Sequence, residues 1–148
     1  MINTKIPDRV WGGNKFNYPK LQILAIDDNS IILKIVSMAL GDDYDVFALA
    51  DPMAVEKYLM LNTPDLFLLD YKMPGLNGFD LVPIIRKFHE HKDTPIIFLT
   101  SMGTKEYVSA AASLGAIDFI VKPVQVNVLR EKIAKHIIRE TQHGGGGH

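Results

Sequence analysis

The chain contains no cysteine in 148 residues and a single tryptophan. Without thiols there is no disulfide framework and no thiolate metal site, a pattern that fits a reducing compartment. An excess of one charge sign is also missing. Sixteen Lys and Arg against 17 Asp and Glu leave a net charge of -1, without the basic surplus that marks nucleic-acid binding. No stretch approaches the roughly 18 consecutive apolar residues of a membrane span. The opening MINTKIPDRVWGGNK has no apolar core of signal-peptide length. These absences predict a cytoplasmic protein that binds neither nucleic acid nor membrane.

What is present is a regular alternation. Short apolar runs at 21–26, 45–50, 65–69, 95–99 and 117–121 read as strands. Several are nearly unbroken, as expected of strands covered by helices on both faces. Segments of helical period lie between them. Ser30 is placed to cap the first, Asp51 with Pro52 to open the second over MAVEKYLML, and Asn77 to cap the third. Gly115 is placed to end the fourth. Pro83 falls inside the third helix and should kink or restart it. Five βα units with short links imply an α/β sandwich. The organisation expected is an N-terminal arm over 1–20, a domain over 21–140 and a flexible glycine-rich tail over 141–148. His143 and His148 in that tail read as linker, and His89 and His91 as exposed residues without a role.

The chemistry gathers where strands end. Asp27 and Asp28 close the first run, Asp70 the third, Thr100 the fourth and Lys122 the fifth. In open parallel sheets that edge is where ligands bind. Three carboxylates and one lysine leave a deficit of two charges. At about 4 Å and an effective dielectric near 20, each like-charge pair costs roughly 4 kcal/mol. A hard divalent cation, magnesium above all, would relieve it. Phosphoryl transfer to a carboxylate needs an ionised nucleophile at a strand tip, a metal, a cation and a hydroxyl. Asp70 can be the nucleophile and Asp28 a metal ligand, with Asp27 a second ligand or water holder. Lys122 supplies the cation and Thr100 the hydroxyl. Lys122-Pro123 is a candidate cis bond that would fix the lysine's direction.

Four pieces stand in order: IDDNS at 26–30, LLDYKMPGLNGF at 68–79, FLTS at 98–101 and LGAIDFIVKP at 114–123. Together they resemble the receiver domain of two-component response regulators over about four fifths of the chain. The resemblance implies a doubly wound, flavodoxin-like fold with a five-stranded parallel sheet of order 2-1-3-4-5. It implies that Asp70 accepts phosphate from a histidine kinase or phosphotransfer protein. It further implies Mg²⁺ held by Asp28, Asp70 and the backbone carbonyl of Lys72, with Asp27 assisting. Thr100 and Phe119 match the family's switch hydroxyl and switch aromatic. Lys72 and Met102 occupy the positions that tune the lifetime of the phosphoryl group. Met102 cannot orient a water and Lys72 has no acceptor to act as a base, so slow self-dephosphorylation is expected.

Such a protein is a switch that catalyses only its own phosphorylation and dephosphorylation, not a turnover enzyme. Its expected partners are the phosphate donor, an output protein or domain, and a second copy on phosphorylation. A phosphatase of the haloacid-dehalogenase type is disfavoured, because Lys72 stands where that family carries its acid. A phosphorylation-independent scaffold is the alternative, as is a fragment of a larger regulator. Singly, each residue has a bland reading: Asp27-Asp28 as a helix cap, Asp70 as a turn acid, Lys122 as a surface charge and Phe119 as core. Their joint occurrence at one sheet edge overturns those readings.

Overall fold

The computed structural model describes residues 19–101 and 103–145, without the side chains of 138–145. Residues 1–18, Met102 and His148 therefore lie outside the described residues, as do most of the expected arm and the side chain of His143.

Five parallel strands form one sheet in the order β2-β1-β3-β4-β5, as the resemblance implied. They are β1 (Gln22–Ile26), β2 (Asp45–Leu49), β3 (Leu66–Asp70), β4 (Ile96–Thr100) and β5 (Asp118–Val121). Every residue of β3 and β4 is buried, which explains their lack of apolar–polar alternation. Edge strand β2 is half-buried at Val46 and Leu49 and exposed at its other three residues. Successive side chains point to opposite faces, so the strands feed two cores. Ile23, Ala25, Leu68, Ile97 and Ile120 face Leu33, Val36, Leu129 and Ile133. Leu24, Ile26, Phe67, Leu69 and Phe98 face Val55, Leu81, Ile85 and Tyr107. Helices α1 (Ser30–Leu40) and α5 (Val126–Gly145) thus cover one side. Helices α2 (Val55–Leu59), α3 (Gly78–Arg86) and α4 (Lys105–Ser113) cover the other.

Local chemistry corrects several expectations. The cap of α1 is Asn29, not Ser30. Its side chain accepts from the N–H groups of Ile31 and Ile32 at 2.9 and 3.3 Å while its backbone stays extended. Asp51 and Pro52 open the next segment as expected, but as a 3-10 turn (Pro52–Ala54), so α2 starts only at Val55; it stops at Leu59. Asn77 caps α3 in a reciprocal box with Asp80. Pro83 does not restart α3. The helix runs through it and closes with Lys87 N–H donating to Pro83 O at 3.1 Å. One missing donor is outweighed by the burial of Leu81, Val82 and Ile85 on the face that meets the sheet. Gly115 ends α4 with φ of 91°, a conformation open to glycine. The final helix reaches Gly145, past the expected boundary at 140.

His91 is the largest misreading. It is 0% exposed, not a surface residue. Its Nδ1 lies 2.8 Å from Thr94 Oγ1 and its ring stands edge-on to Phe67 at 5.0 Å. Burial lowers its pKa.

Strand order reverses between β1 and β3, where a crevice opens above the carboxyl ends of the two strands. The residues that follow those ends line it.

Candidate functional site

Asp27 directly follows β1, and Asp70 is the last residue of β3. Parallel pairing aligns Ile26 with Leu69 and Asp70 with Leu99, which sets the carboxylates side by side. Carboxylate oxygens of Asp27, Asp28 and Asp70 come within 4.8 Å of one another. Asp27 and Asp70 are buried, whereas Asp28 is exposed at the mouth. Asp27 is fixed by its surroundings. Its N–H donates to Leu49 O at 3.2 Å, and its Oδ1 accepts from Asn29 N–H at 2.9 Å.

Lys122 reaches across from the end of β5. Its Nζ donates to Asp70 Oδ1 at 2.9 Å and pairs with Asp27 Oδ2 at 3.1 Å. The latter contact lacks hydrogen-bond alignment, so Asp27 Oδ2 is buried without a donor among the described residues. Lys122 N–H donates to Thr100 O at 2.7 Å, joining the ends of β4 and β5. The Lys122-Pro123 bond is cis. Thr100 is 2% exposed at the tip of β4. The structure thus brings Asp27, Asp28, Asp70, Thr100 and Lys122 to one sheet edge. Lys72 lies exposed two residues beyond Asp70. Phe119 is half-buried against the α4 side of the core.

The electrostatics follow from burial and crowding. Asp70 is pushed from 3.8 to about 6: burial raises it most, Lys122 lowers it, and the Asp27 charge raises it again. Burial alone would lower the pKa of Lys122, but its hydrogen bond to Asp70, its close contact with Asp27 and the charges of both raise it. The lysine is therefore firmly charged, while the acid is held in a strained anionic state. One lysine does not balance three carboxylates. The donors are hard oxygens only, and one buried oxygen lacks a donor, so the set fits a hard cation. Two oxygens bound to a small octahedral cation at about 2.0–2.1 Å lie about 3–4 Å apart. Small side-chain rotations from the present spacing would suffice.

Sequence reasoning missed three parts of this neighbourhood. Gly78 carries the start of α3 against β3. A Cβ there would stand 2.5 Å from Asp70 O and 2.8 Å from Phe98 Cε1. Its N–H donates to Tyr71 O at 2.7 Å. Tyr71, Phe79, Phe98 and Tyr107 form an aromatic cluster with centroids 4.6 to 5.4 Å apart. Finally, Asp118 at the start of β5 holds two residues of α5. Its Oδ1 accepts from Lys132 Nζ at 2.8 Å, and its Oδ2 lies 2.9 Å from His136 Nε2. Lys132 Nζ also donates to Phe119 O at 2.8 Å and sits 5.2 Å from the Phe119 ring centroid. The spacing of Lys132 and His136, four apart on one helix face, was the available signal.

A family model described as the response regulator receiver domain matches residues 23–134. Chemotaxis protein CheY1 of Helicobacter pylori (strain J99) is 32% identical over 116 residues, covering 76% of this chain and 94% of that protein. The cyclic di-GMP phosphodiesterase response regulator RpfG of Xanthomonas campestris is 33% identical over 115 residues, 76% of this chain. The match spans only 30% of that relative's length, and likewise 30% of a protein-glutamate methylesterase of Leptospira interrogans. Among solved structures, chemotaxis response regulator CheY4 of Vibrio cholerae superposes with a TM-score of 0.74 at 29% identity. It covers 78% of this chain and 97% of that one. A receiver domain protein from Clostridium thermocellum gives 0.73 at 29% identity, covering 82% and 98%.

Proposed function

The chain belongs to the response-regulator receiver domain family of two-component signalling, and from that premise we propose that it is a Mg²⁺-dependent phosphoacceptor switch. The observation that carries the reading is the pairing of buried Asp70 with Lys122 Nζ at 2.9 Å beside two further carboxylates. An Asp70 carboxylate oxygen attacks the phosphorus of a phosphohistidine on a histidine kinase or phosphotransfer protein. The P–N bond breaks, and its electron pair returns to the imidazole as the aspartyl phosphate forms.

Asp28 and Asp70 would hold the cation with the Lys72 carbonyl, and Asp27 would hold it or a bound water. Bound there, Mg²⁺ supplies positive charge that offsets the carboxylates and the incoming phosphoryl oxygens. Lys122 orients Asp70 in the resting state and accepts a phosphoryl oxygen as a partner afterwards. The Thr100 hydroxyl turns to donate to another. Adding about -1.5 to -2 charges and three strong acceptors gives both groups new partners.

The readout is the face of α4, β5 and α5. Phe119 lines a cavity of about 160 Å³ there with Val108, Ala111 and Ala112, and its ring moves inward as Thr100 turns. Leu114, Ile117, Val121 and Val126 leave apolar surface exposed on this face for an output protein, an output domain or a second copy. Moving such a switch from 1:99 to 99:1 takes about 5.5 kcal/mol. A few charge-assisted hydrogen bonds at roughly 1.5–3 kcal/mol each supply it. Lys72 and Met102 give the water attacking the phosphoryl group no base, so the phosphorylated state decays slowly.

Radiolabelled acetyl phosphate tests the reading. Labelling that needs Mg²⁺, is stripped by hydroxylamine and is lost in Asp70→Asn is the expected result. Metal-independent labelling, or equal labelling of the variant, would place the chemistry elsewhere.

A further inference from the structure

Tyr107 lies in the first turn of α4, where its N–H donates to Thr104 Oγ1 at 3.3 Å. It is 5% exposed. Its ring stands edge-on to Tyr71 at 4.9 Å and against Phe79 at 5.4 Å, so packing fixes where the ring points. Its hydroxyl is buried without a hydrogen-bond partner among the described residues. Ring packing does not need that oxygen, because phenylalanine would fill the same space. Buried polar groups without partners are uncommon and call for a specific explanation.

The hydroxyl's neighbours supply one. Burial pushes the phenol up to about 12, the Thr100 hydroxyl pulls the other way, and the charges of Tyr71 and Asp70 raise it. Thr100 thus faces the phenol as a polar side chain and Asp70 acts on it through charge, yet no group among the described residues meets hydrogen-bond geometry with the phenol oxygen. A threonine hydroxyl donates once and accepts twice. When Thr100 gives its proton to a phosphoryl oxygen, its oxygen, which accepts twice, can also take a bond from a second donor. We propose that Tyr107 is a positioning residue of the phosphorylated state, its O–H donating to Thr100 Oγ while the Thr100 O–H donates to the phosphoryl group on Asp70. A chain of this kind strengthens each of its bonds. It also gives the tyrosine the partner that the resting state denies it. The inference rests on the reading of Asp70 as the phosphoacceptor.

The test is a double-mutant cycle on the full chain with Mg²⁺ and beryllium fluoride, a reversible mimic of a carboxylate-bound phosphoryl group. Binding is followed by calorimetry. Tyr107→Phe keeps the ring and should keep or raise the melting temperature, since it deletes a buried orphan hydroxyl. Its affinity for beryllium fluoride should fall about fivefold, the size of one modest hydrogen bond. In a Thr100→Ala background the same substitution should have no effect. Unchanged affinity in Tyr107→Phe overturns the proposal. So does an equal loss in both backgrounds, which would mean that the tyrosine acts without Thr100. A wild-type chain that neither binds beryllium fluoride nor takes phosphate from acetyl phosphate defeats the Asp70 reading, and the inference with it. Normal phosphorylation with Tyr107→Phe indistinguishable from wild type defeats the inference alone.

Discussion

Asp70→Asn should raise the stability of the metal-free protein at neutral pH. The carboxylate is 4% exposed, and its pKa stands at about 6 against 3.8 when free of the fold. The folded state therefore binds the proton more tightly than the unfolded chain. Stability from this group is fully present below 3.8 and is lost as pH rises through about 6. About two pH units at 1.36 kcal/mol each set an upper figure of about 3 kcal/mol. Water reaching Lys122 screens part of this, so about 1–3 kcal/mol is expected. Asparagine carries no charge to desolvate, and it does not strand Lys122, which keeps Asp27 at 3.1 Å. In a chain of this size the gain is roughly 3–10 °C in melting temperature.

The assay is thermal unfolding of wild type and variant in chelator from pH 4 to pH 8. The two curves should nearly meet at pH 4 and separate fully above pH 7. Adding Mg²⁺ should then raise wild type selectively, because a ligand that binds only the folded state stabilises it by mass action. A variant less stable than wild type at pH 7, or a gap independent of pH, would refute the reasoning.

Three further outcomes follow from the same geometry. Gly78→Ala drives a Cβ to 2.5 Å from Asp70 O, so it should cost about 2 kcal/mol or more in denaturant unfolding and slow phosphorylation more than a surface change would. Asp118→Asn should cost about 1–2 kcal/mol at pH 7. Burial would raise the Asp118 pKa, but bonds from Lys132, His136 and the Phe119 N–H lower it on balance. Its contribution is therefore present above its unfolded pKa and lost as pH falls through the lowered one, so the difference between variant and wild type should vanish in acid. Lys72→Asn with Met102→Glu should shorten the life of the phosphorylated state at least several-fold by placing acceptors along the water's path; an unchanged decay rate would sink that role.

The sheet was legible because its central strands are buried on both faces. Leu66–Asp70 and Ile96–Thr100 cannot hide as unbroken apolar runs, and each ends on a polar residue. Asp27, Asp28, Asp70, Thr100 and Lys122 were legible for the same reason: a strand end fixes position without knowledge of packing. What failed to show was settled in three dimensions. Ser30 and Asn29 are equally good caps by composition, and only the extended backbone of Asn29 decides. Pro83 looked like a break because the burial of its neighbours is invisible in the chain. His91 looked exposed beside Glu90 and Lys92, yet the turn folds it under Phe67. Tyr107 carries no signal of its own in the chain; nothing in a sequence says that its hydroxyl is left without a partner among the described residues.

The most direct test of the central claim is the intact mass of the protein after Mg²⁺ and acetyl phosphate, followed by borohydride trapping and peptide mapping. The account predicts one added phosphoryl group, about 80 Da, mapped to Asp70 and absent in chelator. No adduct under donor excess, or an adduct mapped to any other residue, would contradict it.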